Sequence, residues 1–70
     1  MTADVRYVRT DEFTYEVKDR AGRWIGEVWH DLTAREWYAY ARDDRRVQHV
    51  RFAGIARTRR EATDLILGAS

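Results

Sequence analysis

The sequence predicts an α+β fold, a small antiparallel sheet of three to five strands packed on one C-terminal helix. Two observations lead there. Between Val5 and Phe52, apolar residues recur at every second position in short runs separated by turn residues, which is the period of strands. From Ala62 the spacing changes to three and four, the period of a helix, with Ala62, Leu65, Ile66 and Ala69 on one stripe. A third observation dates the change. Thr58, followed three residues later by Glu61, forms a capping box in which each side chain meets a backbone N–H that the helix start leaves unpaired.

The elements follow in order. Val5 to Arg9 reads as a short first strand, and Thr10-Asp11-Glu12 as a turn. Phe13 to Lys18 alternates cleanly. Asp19-Arg20-Ala21-Gly22 is a hairpin loop in which Gly22 can take positive φ without steric cost. Arg23 to His30 is the return strand. Leu32 to Arg35 connects it to Glu36–Arg42. Asp43-Asp44-Arg45 turns the chain, and Val47 to Phe52 is a further strand that Gly54 ends. The helix runs from Arg59 to Leu67, with Gly68 at the position of a C-cap.

Residues 1–70 form one domain, since 70 residues leave no room for a second core. So small a core is marginally stable. Without cysteine, neither a disulfide nor a thiolate metal site can staple it, so large aromatics or self-association must contribute. The helix stripe should rest on Phe13, Tyr15, Val17, Trp24, Val28, Trp37 and Phe52. Gly26, Ala39 and Ala41 would allow close approach there. The opposite face would then hold Ile25, Trp29, Tyr38 and Tyr40 beside Glu16, Lys18 and Glu27. Such a patch is seldom left bare. It calls for the N-terminal strand or tail folded over it, for a homodimer, or for a partner or nucleic acid that the aromatics anchor or stack on.

The formal charge of +1 hides an asymmetry. Residues 1–36 carry six basic and eight acidic side chains. Residues 37–60 carry seven arginines, Arg42, Arg45, Arg46, Arg51, Arg57, Arg59 and Arg60, against Asp43 and Asp44, a local +5. An arginine arc of this kind can follow a phosphate backbone, with Arg59 and Arg60 at a helix start whose free N–H groups also favour phosphate. Asp43 and Asp44 could instead neutralise Arg45 and Arg46 as surface pairs.

Catalytic chemistry finds little support. His30-Asp31 lacks the further ligands that a phosphohydrolase metal centre needs. His30 and His49 could meet across the sheet and with a carboxylate bind zinc, but such residues are more often simply surface histidines. The only serine, Ser70, is terminal, and Glu27 and Glu36 have no evident cleft between them. Gly22, Gly26, Gly54 and Gly68 form no phosphate loop. No enzyme activity and no cofactor are expected. Met1 to Val5 lacks the basic-then-apolar build of a signal peptide, and no run is long enough to span a bilayer, so a cytoplasmic protein is expected.

Gly22-Arg23-Trp24-Ile25-Gly26-Glu27-Val28, the later Phe52 and Thr58-Arg59-Arg60-Glu61-Ala62 together resemble the arm-site DNA-binding domains of phage integrases, from about Tyr15 to Leu67. That resemblance implies a three-stranded sheet followed by a helix, and duplex DNA as partner. Two features depart from it. Asp43 to Gly54 is an extra segment before the helix. The exposed face, by which that family reads DNA, here offers Glu16, Glu27 and aromatics. Two functions are therefore expected. One is a small DNA-binding accessory protein of bacterial or phage origin, binding double-stranded DNA through Arg42 to Arg60. The other is a protein-binding regulator or inhibitor, using Ile25, Trp29, Tyr38 and Tyr40, and able to act as a homodimer.

Overall fold

The computed structural model describes residues 5–68. Five strands, β1 (Arg6–Arg9), β2 (Thr14–Lys18), β3 (Trp24–Asp31), β4 (Glu36–Arg42) and β5 (Val50–Ala56), precede one helix, α1 (Arg59–Gly68). The strands form a single sheet in chain order, each antiparallel to the next. The helix lies on one face, chiefly over β4 with β3 and β5 beside it. The other face carries no second layer among the described residues.

Local chemistry sets the turns. In the β2–β3 hairpin Gly22 has φ +86, and the Asp19 carboxylate accepts the Arg23 N–H at 2.9 Å. After β3, Asp31 Oδ1 accepts the N–H groups of Thr33 and Ala34, and Arg35 follows with φ 56. Before α1, Thr58 Oγ1 accepts the Glu61 N–H at 3.1 Å, one half of the expected capping box. The other half differs, because the Glu61 carboxylate takes the Thr58 hydroxyl rather than a backbone N–H.

The core is floored by small residues. Val17, Val28, Ala39, Ala41 and Ala56 are buried beneath Ala62 and Ile66, and Tyr15, Trp37 and Leu65 pack around them. At Gly26 a Cβ would collide with the Tyr40 carbonyl and lie 3.2 Å from Ile66. The missing side chain thus lets β4 pair closely with β3 and leaves room for Ile66 above it. Tyr7 ties β1 to the helix, its hydroxyl 2.6 Å from Thr63 Oγ1, which donates to the Arg59 carbonyl.

Several expectations are corrected. The first strand pairs with β2 as the sheet edge and does not fold over the open face, while the tail before it, residues 1–4, lies outside the described residues. Phe13 precedes β2 and is exposed. Gly54 does not end a strand; it sits inside β5 with φ +144. Phe52 is not beneath the helix. It pairs with Tyr40 while Gly54 pairs with Ala39, so two positions that share a face in a regular strand meet partners on opposite faces. The extra residue, Ala53, forms a bulge that turns Phe52 outward. A second irregularity sets Val17 opposite Gly26 and Lys18 opposite Trp24. There Ile25 packs against the buried cluster that Trp24 was expected to join. Ala69 of the expected helix stripe lies outside the described residues.

Candidate binding surface

The open face is organised by two rows that cross the strands. One runs Val8, Glu16, Glu27, Tyr40, Phe52, each opposite the next. The other runs Thr14, Trp29, Tyr38, Ile55. The aromatic rings touch diagonally and along the rows. Trp29 and Tyr40 have ring centroids 5.4 Å apart, and Tyr40 and Phe52 5.6 Å, both tilted. These spacings match favourable aromatic pairs. Trp29 remains 44% exposed, Phe52 54% and Ile55 50%.

Three of the four residues expected on this face are there: Trp29, Tyr38 and Tyr40. Ile25 is the exception, drawn toward the core beside the β2–β3 irregularity, where it lines a cleft with Ile66 and Leu67. Alternation alone does not place Phe52 or Ile55 on the open face, because the bulge at Ala53 reverses the phase of β5. Gly54 is the signal that could have found it, since a glycine inside a strand often marks a bulge. Tyr38 closes the edge of the patch by donating its hydroxyl to Asp31 Oδ2 at 3.3 Å. Burial, then the Asp31 charge, raise the Tyr38 phenol above its ordinary value, so it stays protonated as a donor. The Ala34 N–H, with help from Tyr38, holds Asp31 low.

The seven arginines do not form one stripe. Arg42, Arg45, Arg46 and Arg51 lie at the β4–β5 end, and Arg57, Arg59 and Arg60 at the start of α1. Between Arg51 and Arg57 runs most of β5, about 20 Å of extended chain. Each group is also engaged. Asp43, with 9% of its side chain exposed, meets Arg45 at 3.5 Å, Arg46 at 3.4 Å and Arg51 at 3.9 Å. Asp44 holds Arg42 at 2.9 Å, and Asp64 holds Arg60 at 3.4 Å. The Arg59 guanidinium lies 4.1 Å over the Tyr7 ring and 5.3 Å from that of Tyr15. The Arg45 backbone N–H, then the charges of Arg45 and Arg46, lower the Asp43 carboxyl below the ordinary range. Asp43 is thus the centre of the loop, which also closes through its N–H to the His49 carbonyl at 2.7 Å.

The two histidines are apart. His30 stacks flat on Trp37, centroids 4.2 Å apart and 4° from parallel. His49 lies in the β4–β5 loop with φ 61 rather than in a strand. No group of three or more His, Asp or Glu side chains placed to hold a metal ion occurs among the described residues. Nor is any described helix long and apolar enough to cross a membrane. A cleft of about 380 Å³ beside the end of α1 is lined by Trp24, Ile25, Ala41 and Ile66. Its charged rim is already paired, Asp19 with Arg23 and Asp44 with Arg42. Comparison with protein-family models, curated proteins and solved structures finds no match for this chain.

Proposed function

We propose that the chain is a protein-binding module that seats a partner protein on the open face of its sheet. The observation that carries this reading is the continuous run Trp29, Tyr40, Phe52, with Tyr38 and Ile55 alongside. Tryptophan and tyrosine are the usual anchors of protein interfaces, bringing large contact area at low entropic cost. Glu16 and Glu27 lie in the same row, and their charge opposes a phosphate backbone on this face. A role as a DNA-binding accessory protein draws instead on the arginine arc. It is weakened by the separation of the two groups and by their pairing with Asp43, Asp44 and Asp64.

The test uses displayed random 12-residue peptides selected on the full chain. Peptides that bind the wild type should lose at least about tenfold in affinity on Trp29→Ala and Phe52→Ala variants that still melt cooperatively. Absence of binders, or binders indifferent to both changes, would remove the reading. Sedimentation of the wild type as a dimer that Trp29→Ala dissociates would make a second copy the occupant. Duplex binding at low salt that Arg59→Glu with Arg60→Glu abolishes would restore the DNA reading.

A further inference from the structure

Glu16 and Glu27 stand directly opposite each other on neighbouring strands of the open face. Side chains in such a pair have Cβ atoms roughly 5 Å apart, and like charges there are destabilising. Neither carboxylate has a hydrogen-bond or ion-pair partner among the described residues. Lys18 and Arg6 share the face one side-chain position along, opposite each other, and form no ion pair with either glutamate there. Tyr40 adjoins the pair as the cross-strand neighbour of Glu27, with the Trp29 ring against it. Beside Trp29 a shallow groove is lined by Asp11, Glu12, Phe13 and Thr14. Two free acceptors beside the half-buried Tyr40 ring and the exposed Trp29 ring are what a guanidinium needs, carboxylates for its donor fork and rings for its plane.

Resting on the protein-binding reading above, we infer that the open face captures an arginine of the partner, paired with Glu16 and Glu27 and lying against Tyr40 and Trp29. The chain already lays one arginine against aromatic rings. On the helix face, Arg59 lies over Tyr7 and Tyr15. On the open face the rings and carboxylates are in place, and neither Lys18 nor Arg6, the chain's own cations on that face, pairs with the glutamates. Such a contact relieves the repulsion between the two glutamates, so charge complementarity favours a basic protein segment over a neutral or acidic one.

The experiment takes the selected peptides, synthesised with a fluorophore, and measures anisotropy against three proteins: wild type, Glu16→Gln/Glu27→Gln, and Trp29→Ala. Each peptide is also made with its arginine replaced by citrulline, which keeps the shape and loses the charge. The double glutamine variant and the citrulline peptide should each weaken binding by about tenfold to a hundredfold, the range for a charge-assisted hydrogen bond. Made together, the two changes should cost little more than either alone. Binding that falls on Trp29→Ala yet ignores both neutralisations would overturn the arginine inference and leave the binding module standing. Binding indifferent to all three changes, or no binding, would overturn both. Glutamine keeps the side-chain size and removes a repulsion, so the double variant should fold, and its thermal melt checks this. If the double variant does not fold, the citrulline peptide on the wild-type chain decides alone.

Discussion

Beneath α1 the sheet is floored by Gly26, Ala39, Ala41 and Ala56, whereas its open face carries Trp29, Tyr38, Tyr40 and Phe52. Both faces are made by the same strands, yet volume is distributed in opposite ways. On the helix side, small residues directly under α1 let Ile66 and Leu65 descend onto the sheet, with Val17, Val28, Tyr15 and Trp37 packed around them. On the open side the strands supply the bulk and nothing described covers them. The difference extends to charge. The helix side brings its own cation, Arg59, to its aromatic rings. The open side sets two glutamates against each other beside its rings. One face is covered within the chain, and the other carries no covering layer among the described residues.

The largest expected effect tests that contrast directly. Ile66 is 2% exposed, and Ile66→Ala should cost about 2–5 kcal/mol, enough to abolish the folded state in a domain of this size. Phe52→Ala should cost about 1 kcal/mol, the worth of its contact with Tyr40. Equal losses in thermal melts would mean that the open face is packed like the core. Gly54→Ala comes next. Its φ of +144 suits glycine, and a Cβ would lie 2.9 Å from Leu65 Cδ1, so about 1–3 kcal/mol should be lost in denaturant titration.

The acid limb of stability sharpens the account of the arginines. Asp43, Asp31 and Asp11 all titrate below the ordinary 3.8 in the folded chain, each chiefly through a backbone N–H donated to the carboxylate. A lowered folded value means that the stabilisation is present above the unfolded value and disappears as the pH falls through the folded one. Melting temperature should therefore fall below about pH 4. Asp43→Asn should make that fall shallower, while freeing Arg45, Arg46 and Arg51 from their common carboxylate. An unchanged acid slope would show that Asp43 does not organise the loop. The smallest effect is a gain. Glu27→Gln removes a like-charge cross-strand pair and should stabilise the free chain by a few tenths to about 1 kcal/mol. A loss instead would show that Glu27 is already satisfied within its own chain.

Much of the architecture is legible before folding is considered. Gly22 between two alternating runs specifies the hairpin, and Thr58 with Glu61 specifies where the helix begins. Val17, Val28, Ala62 and Ile66 reach the core that their periodicity assigns them. These features depend on neighbours a few residues away, which a sequence displays. Trp29, Tyr38 and Tyr40 are legible on the open face for the same reason, since β4 and the C-terminal part of β3 keep their alternation unbroken.

What depends on partners distant in the chain was decided by the tertiary structure. Irregularities of register turn Phe52 outward and bring Ile25 against the core, because one extra residue in a pair of strands exchanges the faces of everything beyond it. The arginine arc is continuous in the sequence and divided in space, because a strand of seven residues carries its two halves apart and each half meets an aspartate. The opposition of Glu16 and Glu27 likewise arises only when β2 and β3 pair in their actual register. Composition and period thus determined which elements form and, where no bulge intervenes, which side of each faces the helix. The pairing of strands decided which side chains share a surface, because contacts across a sheet join residues whose separation in sequence carries no local signal.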